Sequence, residues 1–337
     1  MKILVTGAAG FIGGNLCREL AARGQVDEVI GLDDLSTGNP ANLIGTGTTL
    51  VTGSILDADL VQDLVDRADA VVHLAARPSV PRSLQDPMAT HEANATGSLR
   101  VLEACRRRSV YAIVASSSSV YGSVDAPLKH EDLATRPLSP YAASKLAAEA
   151  YLLAYQAAFG LPGLAMRFFN VYGPLQSAGH TYAAVIPTFV DAALRGEPLV
   201  IYGDGKQARD FTFVGTVVRV LADAVLDGVT SAEPVNLAFG TRTTVAELAR
   251  RVAAAVGVPA DVRHAPARPG DVRDSQAAGD RLRTLFPRAT PAELGEGLRQ
   301  TVAWLREQST VGAPGPGATA VMRPLRSRPA STAGPAH

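Results

Sequence analysis

The chain has 337 residues with 32 acidic and 32 basic side chains, so it carries no formal net charge. That balance lacks the basic footprint a phosphate-backbone binder needs, which argues against nucleic acid as a partner. The length suffices to bury a sizeable core, and no apolar run reaches the roughly 18 to 20 residues that would span a membrane.

Two cysteines, Cys17 and Cys105, lie far apart, with no metal-ligand spacing and no secretory signal ahead of them. They read as buried thiols of a cytoplasmic protein, and no metal site is expected.

Short apolar runs at residues 2–6, 28–33, 69–75, 110–116 and 162–168 alternate with segments of helical periodicity at about 11–23, 57–66, 87–107 and 140–159. Such alternation predicts an α/β fold, a Rossmann-type doubly wound parallel sheet with helices on both faces. After residue 170 the pattern loosens into Pro- and Gly-rich stretches between shorter elements at 185–195, 198–202, 211–226 and 244–256. The expected organisation is a dinucleotide-binding domain over 1–170 and a smaller α/β substrate-binding region over 171–309, with some chain returning to the first domain. Residues 310–337 are Gly, Pro, Ala, Ser and Arg with few large apolar residues, and are expected to form a disordered tail.

Directly after the first run comes Thr6-Gly7-Ala8-Ala9-Gly10-Phe11-Ile12-Gly13, leading into an amphipathic helix. Its glycines would let backbone N–H groups approach a pyrophosphate at the helix N-terminus. The G-x-x-G-x-x-G spacing departs from the ordinary G-x-G-x-x-G, and a tight strand-to-helix turn alone could require glycines there. Asp33, 20 residues past Gly13 at the end of the second run, adds a carboxylate suited to the adenosine ribose hydroxyls. It favours NAD over NADP, because a 2′-phosphate would meet like charge and Asp34-Leu35-Ser36-Thr37-Gly38 supplies no Arg or Lys.

Tyr141-Ala142-Ala143-Ser144-Lys145 puts a phenol and an ammonium at i and i+4 on one helical face. The ammonium is expected to favour phenolate, lowering the Tyr141 pKa from about 10 toward working pH. Ala115-Ser116-Ser117-Ser118-Ser119-Val120-Tyr121-Gly122 sets four hydroxyls at the end of a strand, where open α/β sheets bind ligands.

Taken in order, these motifs resemble the extended short-chain dehydrogenase/reductase family, specifically its UDP-sugar 4-epimerase branch, over about residues 1–307. The resemblance implies NAD as cofactor, Ser117 as the residue that binds the reacting hydroxyl, Tyr141 as base, and Lys145 as the ligand of the nicotinamide ribose that tunes Tyr141. It implies an NAD site of Gly7, Gly10, Phe11, Ile12, Gly13 and Asp33, continued by Ser54, Ile55, Leu74, Ala75 and Ala76 to Tyr141, Lys145 and Phe169.

Later matches are Arg167-Phe168-Phe169-Asn170-Val171-Tyr172-Gly173-Pro174, Tyr182-Ala183-Ala184-Val185-Ile186-Pro187, the run from Ile201 to Phe211, and Arg268-Pro269-Gly270-Asp271. By resemblance a UDP-sugar would be bound by Ser117, Ser118, Asn170, Val185, Tyr202, Arg209, Arg268 and Asp271. Asn170, Arg209 and Arg268 would grip the diphosphate and Asp271 the uridine ribose. The helices at 87–107 and 140–159 resemble those that form a four-helix interface in the family's homodimers.

The implied reaction is NAD-dependent inversion at C4 of a UDP-hexose through a transient 4-keto sugar. Sugar 4,6-dehydratases resemble this framework but carry Asp-Glu where Ser118-Ser119 stand, and UDP-uronate decarboxylases usually carry a Glu after the catalytic Thr. A non-catalytic NAD-binding sensor or scaffold typically lacks the tyrosine or lysine that are both present here. Ser275 stands where strict UDP-glucose epimerases carry Tyr, which implies room for an N-acetyl or carboxyl substituent. Ser79-Val80-Pro81-Arg82-Ser83 and the segment from Tyr182 to Pro187 look most like UDP-N-acetylglucosamine epimerases, while Arg82 equally suits a uronate carboxylate. Against a uronate, Leu175 and Ser177 stand where some UDP-glucuronate epimerases carry Arg. Two departures remain: Ser54 replaces an Asp that usually meets adenine, and Gly215-Thr216 replaces an acidic pair.

Overall fold

The computed structural model describes residues 1–178, 183–267 and 273–310; Tyr182, Arg268, Asp271 and the chain beyond residue 310 lie outside the described residues.

The first half alternates strand and helix: β1 (Lys2–Thr6), α1 (Phe11–Ala21), β2 (Glu28–Asp33), β3 (Thr49–Thr52), α2 (Ala58–Val65) and β4 (Ala70–His73). Then follow α3 (Val80–Gln85), α4 (Pro87–His91), α5 (Gly97–Arg108), β5 (Tyr111–Ser117), α6 (Pro140–Phe159) and β6 (Gly163–Phe168). The segment read as one helix at 87–107 is α4 and α5 joined by a π-helical turn at Glu92–Thr96.

The second half holds β7 (Val171–Tyr172), α7 (Val185–Leu194), β8 (Leu199–Tyr202), β9 (Ala208–Arg209), β10 (Thr212–Phe213), α8 (Val214–Leu226) and β11 (Val235–Leu237). It ends with β12 (Thr243–Thr244), α9 (Val245–Val256), β13 (Val262–Ala265), β14 (Asp274–Ser275), α10 (Asp280–Leu285) and α11 (Leu294–Thr310).

The main sheet has seven strands in the order β11-β6-β5-β4-β1-β2-β3, all neighbouring pairs parallel. Its strands are nearly continuous apolar runs because both faces are covered. Ile3 and Val5 of β1 point into one core with α1 and α8, while Leu4 between them points into the other with α2, α5 and α6. Each fully buried Leu, Ile or Val in these layers contributes about 2 kcal/mol by leaving water. The chain runs outward from β1 to β3, then returns to place β4 on the other side of β1. That reversal opens a crevice beyond the carboxyl ends of β1 and β4, where doubly wound sheets hold ligands.

Two strands escape the periodicity. β3 is a half-exposed edge strand, and β11 is three residues long. β11 pairs with β6, and α8 packs on α1, so chain beyond residue 210 adds a strand and a helix to the main sheet. There the Gly215-Thr216 pair acquires a structural reason. A Cβ at Gly215 would lie 2.7 Å from the Phe213 ring, and buried Thr216 accepts the Ala292 N–H at 3.1 Å. Beside the sheet, α7, α9 and α11 pack together with the two-stranded sheet β8·β13 and the three-stranded sheet β12-β9-β14 to form a smaller region.

Candidate functional site

A cleft of about 580 Å³ opens at the β1–β4 crevice. Gly7 turns the chain out of β1 with φ +69°, a conformation that favours glycine. A Cβ at Gly13 would stand 2.0 Å from the Gly7 carbonyl oxygen, so that crossing also requires glycine. No side chain caps α1, whose first-turn residues Phe11, Ile12 and Gly13 line the cleft with Gly7 and Gly10. A cradle of glycines ending on uncapped helix N–H groups fits a diphosphate.

The cleft continues past Asp33, Ser54 and Ile55 on one side and Leu74, Ala75 and Ala76 on the other, to Tyr141 and Lys145. Asp33 accepts the N–H groups of Ala9 at 2.9 Å and Leu35 at 2.8 Å. Burial pushes its carboxyl up, and those two amides pull it back. The carboxylate therefore braces the loop as well as facing the cleft. Ser54 accepts the Leu56 N–H at 3.1 Å and offers no carboxylate to a base edge.

Phe169 lies elsewhere than the resemblance implies. Successive residues at the end of β6 face opposite ways, so Phe168 lines the cleft while Phe169 is fully buried, its ring 6.2 Å from that of Tyr121.

Helix α6 is well specified: Ser139 caps it by accepting the Ala142 N–H, Pro140 opens it, and Gly160 at φ +68° ends it. It delivers Tyr141 and Lys145 to the inner end of the cleft. Lys145 is buried, its Nζ donates to the Ala115 carbonyl at 2.9 Å, and burial lowers its pKa to about 8. The Tyr141 phenol departs from expectation. Burial pushes it up from its ordinary value, and the opposing influence is a hydrogen bond with Ser117 rather than the lysine charge. The reason is desolvation, which disfavours the charged form of both groups.

Ser117 ends β5, and its Oγ accepts from the N–H of Ser119 at 3.2 Å and lies 2.9 Å from the Ser119 hydroxyl. Ser118 opens the short 3₁₀ turn that follows, Ser118–Tyr121. Neither serine is among the lining residues of the cleft, where Ala115 and Ser116 appear instead.

A second pocket of about 280 Å³ lies in the smaller region, lined by Asn170, Val185, Tyr202 and Arg209 with Phe211 and Gln207. Asn170 has φ +27° and donates from Nδ2 to the Asp210 carbonyl at 3.1 Å. The Asp210 side chain is fully buried and accepts from Gly240 N, Thr241 Oγ1 and Ala277 N, which ties two segments, 240–241 and 277, to the chain next to Arg209. Arg209 pairs with Ser275 in the β9–β14 register, so Ser275 lies next to it.

Sequence reasoning overlooked several polar residues. His73 ends the otherwise apolar β4, 2.7 Å from Thr6 Oγ1 and 2.8 Å from Ser98 Oγ, and burial lowers its pKa to about 3. Asn94, in the π-helical turn, accepts the Arg77 N–H at 2.7 Å and donates to Ser144 Oγ at 3.0 Å. A histidine closing an apolar strand was a usable signal, whereas nothing in the sequence marks the π turn. Arg82, on α3, lines the cofactor cleft.

Residues 3–238 match the model of the NAD dependent epimerase/dehydratase family. A UDP-glucose 4-epimerase of Mycolicibacterium smegmatis is 39% identical over 92% of this chain and 100% of its own length. A dTDP-glucose 4,6-dehydratase of Streptomyces niveus is 34% identical, covering 91% of this chain and 93% of its own. Among solved structures, the UDP-N-acetylglucosamine 4-epimerase of Methanobrevibacter ruminantium M1 in complex with UDP-N-acetylmuramic acid is 34% identical. It has a TM-score of 0.86 and covers 91% of this chain and 98% of that one.

Proposed function

Because the chain belongs to the NAD dependent epimerase/dehydratase family, we propose that it inverts C4 of a UDP-hexose through a 4-keto sugar. The observation that carries this reading is the pairing of Tyr141 and Lys145 at the inner end of the cofactor cleft with hydroxyls, not carboxylates, at 118 and 119. Moving protons at C5 and C6, as dehydration requires, needs an acid/base pair, and two serines with pKa values far above neutrality cannot provide one.

The glycine loop and Asp33 would hold NAD, which would supply the hydride chemistry of the reaction, oxidation of C4 followed by its reduction. Tyr141 takes the proton of the 4-hydroxyl, and Ser117 donates a hydrogen bond to the oxygen as it gains charge. Lys145 would hold the nicotinamide ribose, and the hydrogen bond with Ser117 opposes the effect of burial on the Tyr141 phenol. Asn170, Arg209 and, outside the described residues, Arg268 and Asp271 grip the nucleotide. The hexose is left loose enough to present its other face before Tyr141 returns the proton. Ser275 beside Arg209 leaves space for a bulky substituent, so the substrates proposed are UDP-N-acetylglucosamine or UDP-glucuronate, with UDP-glucose as a smaller alternative.

The test incubates purified protein with each of the three nucleotide sugars separately and follows the anomeric protons by NMR. Conversion of one to its galacto epimer, abolished in Tyr141→Phe, is expected. Binding without conversion of any would remove the epimerase reading in favour of another oxidation-initiated reaction or a sensor.

A further inference from the structure

Tyr141 and Lys145 act from one helix, yet the groups they must meet, Ser117 and the Phe168 wall, stand on two different strands. Something must set the helix against both strand ends. Glu149 follows Lys145 by one turn and Tyr141 by two, which keeps all three on one face of α6. Its carboxylate is 2% exposed and accepts from Ser116 Oγ at 2.6 Å, Arg167 Nε at 2.9 Å and Arg167 Nη2 at 2.6 Å. Ser116 immediately precedes Ser117 on β5, and Arg167 immediately precedes Phe168 on β6. One carboxylate thus ties the helix to the last turn of chain before both functional positions.

We propose that Glu149 and Arg167 are positioning residues, whose buried two-pronged ion pair fixes the register of the base-bearing helix against the strand ends that carry Ser117 and Phe168. This rests on Tyr141 being the base and is independent of which sugar is turned over.

Geometry, rather than stability, accounts for a charged pair at this place. Buried ion pairs are often replaceable by apolar residues of similar volume at no loss of stability, because desolvation offsets their attraction. What apolar residues cannot reproduce is the planar fork, which fixes angle and distance together. The fork is also braced from behind. The Arg167 guanidinium lies 4.8 Å from the centroid of the Tyr121 ring, and the Tyr121 hydroxyl donates to Asn236 Oδ1 on β11 at 2.7 Å. Asn236 N in turn donates to Glu131 Oε1 at 2.8 Å. On the helix side, Lys145 donates to Ala115, the residue before Ser116.

The experiment titrates the Tyr141 phenol in the NAD-loaded protein by ultraviolet difference absorbance, with Tyr141→Phe identifying its step. No substrate is needed, so a wrong sugar assignment does not affect the result. The ionisable groups lining the same cleft are Asp33, Asp34, Arg77, Arg82, Glu92 and Lys145, and His73 stands behind Lys145; none is altered. Two variants are compared with wild type: the double variant Glu149→Leu with Arg167→Met, which removes both charges at similar volume, and Arg167→Lys, which keeps the charge but loses the fork. The double variant is expected to raise the Tyr141 midpoint by about one pH unit or more while melting near wild type. Arg167→Lys is expected to shift it in the same direction, and it alone decides if the double variant fails to fold. Midpoints unchanged from wild type overturn the proposal whatever the melting temperature does, because a purely structural pair would move melting alone. A wild-type titration without a Tyr141 step overturns the base assignment and this role with it.

Discussion

A methyl group at Gly13 would meet the backbone of Gly7, which cannot swing aside as a flexible side chain could. Gly13→Ala is therefore expected to weaken NAD binding by about 100-fold, roughly 2.7 kcal/mol, as read by calorimetric titration; wild-type affinity would contradict the placement of the diphosphate. Asp33 makes a different demand, since it holds the Ala9 and Leu35 amides as well as facing the cleft. Asp33→Ala is expected to cost about 2 kcal/mol of stability in denaturant melts, in addition to lost NAD affinity, because a buried amide and a half-buried one lose their acceptor. Lys145 sets a pH limit. Its pKa is lowered to about 8 by burial, so the fraction carrying positive charge falls as pH rises through that value, and the ammonium proposed to hold the nicotinamide ribose is lost. Turnover is expected to decline above about pH 8, and a rate still climbing at higher pH would show that the ammonium is not needed.

Among the elements, α6 carries both Tyr141 and Lys145, the pair proposed for the chemistry, and is also the most clearly written in the sequence. Its boundaries follow from Ser139, Pro140 and Gly160, and its Ala-rich body has high helix propensity. Ser139→Ala removes the acceptor for the Ala142 N–H and is expected to cost about 1 kcal/mol, seen as a drop of about 2 °C in melting temperature. The buried strands β1, β2, β4, β5 and β6 were equally legible, because a strand covered on both faces must be apolar throughout. β3 was not, since an edge strand needs no such run, and β11 is too short to show any period. The glycine loop and the Tyr-x-x-x-Lys pair could be read because both depend on local spacing. The Glu149–Arg167 pair, 18 residues apart and joined only through the packing of α6 on the strands, could not. Phe168 and Phe169 are adjacent in sequence but face opposite ways, a distinction that depends on strand phase.

At the scale of the molecule, the cofactor cleft lies in the sheet and the smaller pocket in the region beside it, consistent with a substrate whose nucleotide is gripped apart from the reacting sugar. No helix among the described residues is long and apolar enough to cross a membrane. The buried thiols of Cys17 and Cys105, each pushed up to about 12 by burial, are inert packing groups. The outer side of α6 is less complete: Tyr151 and Phe159 are exposed there, and Leu84 and Met88 are exposed on the neighbouring α3 and α4. This face is the one proposed for homodimerisation, and Tyr151→Asp with Phe159→Asp is expected to convert a dimer to monomers in sedimentation equilibrium; a monomeric wild type would remove the proposal. The central claim, oxidation and re-reduction at C4 of one bound sugar, is tested most directly by deuterium. A UDP-hexose labelled with deuterium at C4 and turned over in ordinary water should give the C4 epimer with the label still at C4. Loss of the label from C4, or its appearance at C6 with loss of water from the sugar, would contradict the account.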